Sequence, residues 1–386
     1  MNYFFTEDEI KIRETAKQIA EEKIAPIAIQ CDKEEKFPWE IMEILAEKDF
    51  FRIFLDKKYD GLGLGTMGLV IATEELSKAC GGIALGFAGT ALGLMPLLIG
   101  GSEEQKRRYL PEIASGKALA AYGLTEPDAG SDVASIKTRA QKDGDYYVLN
   151  GMKHFITNGG IAKYMSVFAI TDPTKGSRGA STFWVEDGTP GLSYGEKLEK
   201  LGIRGSVTGE LIFEDCRVHK DNLIGREGMG FILAMKTFDN SRPGVAAQAL
   251  GIAQGTLDQT INFCREFKRS GYPLAHFQDI QLKLADMATE IEAARSLIYS
   301  VSRAMDRGEK DISRTSAMCK LYASDVATKV TNAAVSILSE YGVTDKYPVE
   351  KNMRDAKITQ IYEGTNEIQR LIIARDIIKK AASKKH

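Results

Sequence analysis

Three short segments carry residue types that could do chemistry. In I-Y-E-G-T-N-E-I-Q-R, Ile361 to Arg370, the carboxylate of Glu363 stands between Tyr362 and Gly364. The glycine interrupts a helical pattern and lets a substrate press against the backbone. A carboxyl group in an apolar pocket gains basicity by desolvation, which suits a general base; read alone, Glu363 also fits a solvated helix position. In Y-G-L-T-E-P-D-A-G-S-D, Tyr122 to Asp132, hydroxyls at Thr125 and Ser131 alternate with Gly123 and Gly130, which permit close backbone approach. Such a loop either hydrogen-bonds a flat polar ring or merely turns the chain. In K-H-F-I-T-N-G-G, Lys153 to Gly160, Phe155 offers an aromatic face and Thr157 a hydroxyl on a predicted strand. The last two segments together outline a wall for a ring.

Other motifs point away from chemistry. Gly63-x-Gly65-x-x-Gly68 fits the dinucleotide fingerprint letter for letter, but it lies in helical sequence without a preceding strand, so it reads as a loop between helices. Cys31, Cys80, Cys216, Cys264 and Cys319 are far apart, and His154, His219, His276 and His386 form no ligand-spaced set. Reduced thiols and no metal are expected. The 386 residues carry 51 Lys and Arg against 53 Asp and Glu, a net charge of −2, which lacks the basic footprint of a nucleic-acid binder. Glu7, Asp8 and Glu9 stand where a secretory signal needs a basic start, so a cytoplasmic setting is the default expectation, and a processed organellar form reads the same.

The elements that must position these residues follow from periodicity. From Thr6 to about Lys117 apolar residues recur at three and four, and Thr6 with Glu9 forms a capping box. Ala79 to Ser102 carries no charge and is long enough to span a bilayer. Its glycines and Pro96 interrupt it, and a buried helix is the better reading than membrane insertion. Short alternating runs with Gly-rich turns then predict strands at D-G-D-Y-Y-V-L-N-G, M-S-V-F-A-I, A-S-T-F-W-V and E-L-I-F-E-D. After about Gly230 long helical segments return. The chain is read as α+β, with a helical domain at 1–120, a barrel-like β domain at 121–232 and a C-terminal four-helix bundle at 233–386. The tail K-K-A-A-S-K-K-H reads as a solvated helix end.

Four motifs in order, T-E-P-D-A-G-S-D, F-I-T-N-G-G, F-D-N-S-R-P-G-V-A-A-Q-A-L-G-I-A-Q and D-A-K-I-T-Q-I-Y-E-G-T-N-E-I-Q-R, resemble the acyl-CoA dehydrogenase family over nearly the whole chain. The resemblance implies an FAD enzyme that oxidises an acyl-CoA thioester to the trans-2-enoyl-CoA. It places Glu363 as the base for the α-proton and its backbone N–H, with a ribityl hydroxyl of FAD, at the thioester oxygen. Tyr122, Leu124, Thr125, Gly130, Ser131, Phe155, Ile156, Thr157, Gln278, Thr365 and Glu367 fall at FAD positions. Ser131, Asp239, Arg242, Tyr362 and Gly364 fall along the acyl-CoA channel. An electron-transfer flavoprotein as electron acceptor and a homotetramer are implied as well. Gly82 to Leu98 matches the acyl-pocket helix, and Leu85, Ala88, Ala91 and Leu92 favour an apolar acyl group over a dicarboxylic one.

Departures from the family pattern cluster at one function. Phe267 stands for an arginine that binds the FAD pyrophosphate of a neighbouring subunit, Ser270 for a phenylalanine, Ser336 for a glutamine, and Ser339 and Glu340 for paired glycines. Losing an arginine–phosphate contact costs on the order of 1.5–3 kcal/mol. The resemblance then leaves three forms open: a homo-oligomer compensated by Arg265, Lys268 or Arg269, a hetero-oligomer whose partner supplies the contacts, or a flavin-free enzyme doing non-redox chemistry on a CoA thioester.

Overall fold

The computed structural model describes residues 3–383, so the last three residues of the tail lie outside it. The chain enters α1 (Glu7–Ile19) through the expected capping box: Thr6 Oγ1 accepts the Glu9 N–H at 3.3 Å and Glu9 Oε2 accepts the Thr6 N–H at 2.8 Å. Then come α2 (Ala28–Glu34), α3 (Trp39–Glu47), α4 (Gly65–Ala79), α5 (Gly81–Gly100) and α6 (Glu103–Ala114). The G-x-G-x-x-G stretch is a turn that opens α4, with Gly63 and Gly65 at φ +68° and +61°. The first strand begins only at Ala120.

One expectation is corrected at α5. The glycines and Pro96 do not interrupt it; Gly81–Gly100 is a single helix, long and apolar enough to cross a membrane yet mostly buried inside the protein. Its glycines serve packing. A Cβ at Gly93 would stand 2.6 Å from the Ala121 backbone, and one at Gly82 3.1 Å from the Ile203 backbone. Close approach of neighbouring backbone offsets the low helix propensity of glycine.

All four predicted strand runs are present, in β3 (Tyr146–Thr157), whose run begins with the turn from Asp143, β4 (Tyr164–Ile170), β5 (Ala180–Glu186) and β7 (Thr208–His219). With β1 (Ala120–Gly123), β2 (Arg139–Asp143), β6 (Leu192–Tyr194) and β8 (Leu223–Ile224) they form one eight-stranded sheet. Its order is β6-β7-β3-β2-β4-β5-β8, with β1 parallel to β4. A two-stranded hairpin, β9 (Lys268–Arg269) and β10 (Tyr272–Pro273), follows α7 (Gly230–Glu266). Next are α8 (Gln278–Asp306), α9 (Ser313–Leu338), α10 (Val349–Thr359) and α11 (Asn366–Ser383), with α9 packed against α7, α8, α10 and α11. All five cysteines are buried and unbridged.

The two helical parts are joined by polar contacts as well as by a shared apolar core. Asp306 at the end of α8 caps α4, accepting the Thr66 and Met67 N–H groups at 2.7 and 2.9 Å. Those are orphan donors that any helix N-terminus must satisfy. Because α5 packs on both α7 and β1, it joins sheet to bundle.

Candidate active site

Between α10 and α11 the chain makes a tight turn, Gln360 to Thr365. Glu363 and Gly364 have φ of +51° and +90°. A left-handed glutamate costs about 1 kcal/mol or more and persists because its surroundings fix it. Gln369 Nε2 donates to the carbonyls of Glu363 and Gly364 at 3.2 and 3.0 Å. Lys320 Nζ, on α9, donates to the Gly364 carbonyl at 2.8 Å and to Asn366 Oδ1 at 2.9 Å.

The Glu363 carboxyl meets α7. Ser241 Oγ donates to Glu363 Oε2 at 2.5 Å. Burial raises the Glu363 pKa, while the Ser241 hydrogen bond and the charges of Lys320 and Arg242 pull it partly back. Arg242, 4% exposed, donates to Asp239 Oδ1 at 2.8 Å, and Ser313 Oγ donates to the same oxygen at 2.9 Å. The Arg242 Nε is buried without a partner. Tyr362 donates its hydroxyl to Gln248, whose amide donates to the Gly81 carbonyl at 2.7 Å, tying the turn to the start of α5.

The opposite wall is built on the sheet. The register of β3 against β7 shifts between Lys153 and Ile156, and this bulge re-aims the chain. Phe155 sits in it at φ +58° and is 62% exposed, an unusual state for a bulky aromatic. The His154 N–H donates to the Thr125 carbonyl at 2.8 Å, joining the bulge to the Tyr122–Asp132 loop. Beneath them Lys153, fully buried, donates to Glu126 Oε1 at 2.6 Å and to the Leu124 carbonyl at 3.2 Å. Glu126 also accepts the Lys137 and Thr138 N–H groups. Ser131 and Gly130 are exposed at the loop's end, and nothing lies within 4 Å of a Cβ placed on Gly130. Leu124 and Ile156 have buried side chains, so backbone is what they can offer a ligand.

The two walls meet at Tyr122. Its hydroxyl is buried without a partner, and burial followed by the Glu363 charge pushes the phenol well above its usual range. The fold thus brings Tyr122 within reach of the Glu363 charge and against Phe238 of α7, the helix that carries Asp239, Ser241 and Arg242, and ties the 122–132 loop to the Phe155 bulge, while Thr365 and Glu367 stand at the start of α11. Gln278 is not among them. It is exposed at the start of α8, beyond the far end of α7, and the path along that helix from Ser241 to Phe267 is about 39 Å at 1.5 Å per residue.

Sequence reading missed Ser241, Lys320, Gln248, Gln369 and the Glu126–Lys153 pair. A signal existed for Lys320. It lies on the face of α9 that also buries Ser316, Ala317, Ala323 and Ala327, and a lysine there needs a reason.

Comparison with known proteins decides the family. The models for the N-terminal, middle and C-terminal domains of acyl-CoA dehydrogenase match residues 6–117, 121–216 and 228–378. The chain belongs to the acyl-CoA dehydrogenase family. It is 44% identical to the short-chain-specific acyl-CoA dehydrogenase of Clostridium acetobutylicum, over 98% of this chain and 100% of that one. The structure of butyryl-CoA dehydrogenase from Megasphaera elsdenii superposes with a TM-score of 0.95 at 41% identity, covering 97% and 99% of the two chains. A chain in the solved structure of the electron transferring flavoprotein of Acidaminococcus fermentans gives a TM-score of 0.95 at 44% identity, covering 98% and 99%.

Acyl-CoA dehydrogenases are FAD-dependent oxidoreductases acting on CH–CH bonds. The wall of this chain fits such a cofactor: the bared Phe155 face, the open Gly130 and the orphaned Tyr122 hydroxyl all lie on it. The departures form a compact group elsewhere. Phe267 stacks on Phe263 with centroids 5.0 Å apart and lies 5.4 Å from Tyr341. Arg269 rides over the Phe277 ring at 3.9 Å and pairs with Asp279 at 3.2 Å. Ser270, at φ +50°, sits at the hairpin tip.

Proposed function

We propose that this acyl-CoA dehydrogenase removes the α-proton and β-hydride of a short, apolar acyl-CoA, with Glu363 as the base. The observation that carries the reading is a buried carboxyl at the end of a strained turn, facing a wall that fits a flavin. Bound FAD supplies the hydride acceptor. Everything else falls to the protein's own groups.

Glu363 takes the proton. Ser241 holds Oε2 from one side, which leaves Oε1 as the accepting oxygen. The raised pKa brings the carboxylate closer to the acidity of its task. The Glu363 N–H has no acceptor among the described residues, so it is free to polarise a thioester carbonyl. Tyr362 and Gly364 flank the acyl chain. Asp239 and Arg242, locked together, border the pantetheine channel with Ser131. Tyr122, Leu124, Thr125, Gly130, Ser131, Phe155, Ile156 and Thr157 line the flavin ring and its ribityl-phosphate, and Thr365 and Glu367 its adenosine half.

Gln278, remote from Glu363, serves the FAD of a second copy. The homotetramer accounts for this and for the apolar Leu371, Ile377 and Ile378 left exposed on α11. The domain boundaries at 120 and 232, an electron-transfer flavoprotein as acceptor and a cytoplasmic setting complete the reading. Arg269, already ordered over Phe277, is the group placed to replace the arginine lost at Phe267. Adding butyryl-CoA anaerobically to the FAD-loaded protein tests it: the flavin absorption bleaches at a stoichiometry of one per subunit. Unchanged absorption with bound butyryl-CoA would overturn it.

A further inference from the structure

The turn that carries Glu363 is held at both ends from a single helix. On α9, Asp325 Oδ1 accepts from Gln360 Nε2 at 2.7 Å and from Asn366 Nδ2 at 2.8 Å. Asp325 Oδ2 takes Arg370 at 2.9 Å. One turn earlier on the same helix, Lys320 reaches the Gly364 carbonyl and Asn366. Two consecutive left-handed residues at 363 and 364 swing their carbonyls inward, and buried carbonyls need donors. Gln369 serves as a donor to both, and a neutral side chain could serve as the second on Gly364.

The second is instead an ammonium group with 0% exposure whose hydrogen-bond acceptors are all neutral oxygens. Burying a cation this way is costly, and burial pushes its pKa down to about 7. The charged groups that face it are Glu363, Arg242, Asp325 and Glu367. A cation is therefore kept within electrostatic reach of the Glu363 carboxyl without touching it.

We propose that Lys320 is a positioning residue for the base: its ammonium group locks the Gln360–Asn366 turn through the Gly364 carbonyl and Asn366, and so fixes where the Glu363 carboxyl meets the substrate. The inference rests on Glu363 being the base. Lys320 is protonated at the acid end of the range, where Glu363 titrates, so its charge there favours the carboxylate. Removing it shifts the acid limb of the reaction upward.

The test is exchange of the α-protons of butyryl-CoA in deuterated water by the FAD-loaded enzyme, followed against pH. Lys320→Met keeps flavin content and butyryl-CoA Kd within about twofold, but loses about tenfold or more in exchange rate, because a displaced base loses its alignment. Its acid limb moves up by about half a pH unit. Lys320→Arg restores the acid limb while remaining slower than the parent. Lys320→Gln keeps a donor but no charge, so it shifts the acid limb as Lys320→Met does, and it carries the test if the methionine variant fails to fold. An unchanged rate and acid limb in a folded Lys320→Met or Lys320→Gln enzyme overturns the inference. Glu363→Gln in the same assay separates the two claims. Exchange that survives it removes the base assignment, whereas exchange lost there but untouched by the Lys320 variants removes this inference alone.

Discussion

Lys153 and Lys320 are both fully buried, one under each wall of the site, yet they are held differently. Lys153 donates to the Glu126 carboxylate at 2.6 Å, and that carboxylate also takes the backbone N–H groups of Lys137 and Thr138. Lys320 donates only to a carbonyl and an amide oxygen. Both pKa values fall by desolvation, to about 8 for Lys153 and about 7 for Lys320. The compensating carboxylate of Lys153 is in direct contact; for Lys320 it is the more distant Glu363. One lysine staples a surface that only has to hold still. The other keeps an unneutralised charge within electrostatic reach of Glu363, the proposed base.

That contrast can be broken experimentally, beginning with its largest consequence. Glu126→Gln leaves Lys153 buried and unpaired, which costs about 3–5 kcal/mol; the thermal midpoint falls and FAD is released. Combining it with Lys153→Met recovers much of the loss, because no buried charge is then stranded. Gly93→Ala forces a methyl group to 2.6 Å from the Ala121 nitrogen, and backbone cannot yield as a side chain does. A loss of about 1–3 kcal/mol is expected in denaturant unfolding.

On the base side the effects appear in pH dependence. Ser241→Ala removes a hydrogen bond that stabilises the Glu363 carboxylate. The folded enzyme keeps its flavin, and the acid limb of kcat/KM rises by about one unit, the equivalent of a charged hydrogen bond of about 1.5 kcal/mol. Gly130→Ala is the smallest change. Its methyl group meets nothing within 4 Å, so unfolding shifts by less than about 0.5 kcal/mol. A fall in FAD affinity in this variant, measured by fluorescence titration, marks Gly130 as a site of close cofactor approach.

What was legible in the sequence was what local chemistry marks. Glu363 beside a glycine, the paired hydroxyls of the Tyr122–Asp132 loop and the strand with Phe155 all announce themselves within a few residues. The helical, β, helical order follows from periodicity alone. α5 was misread as interrupted because helix propensity counts glycine and proline against a helix, while the backbones that approach Gly82 and Gly93 come from residues 203 and 121. Ser241 and Lys320 escaped for a related reason. Their partners lie on other elements, up to 122 residues away, and no window along the chain contains both. The position of Gln278, past the end of a helix that runs about 39 Å from Ser241 to Phe267, likewise shows only once α7 is seen as one helix.

The most direct measurement is the rate of α-proton exchange in butyryl-CoA by the parent enzyme and by Glu363→Gln, across pH and at saturating ligand. Exchange by the parent rises with an apparent pKa above the ordinary glutamate value of about 4.3 and is abolished by Glu363→Gln, with butyryl-CoA still bound. Exchange that persists in Glu363→Gln at a comparable rate would contradict the account.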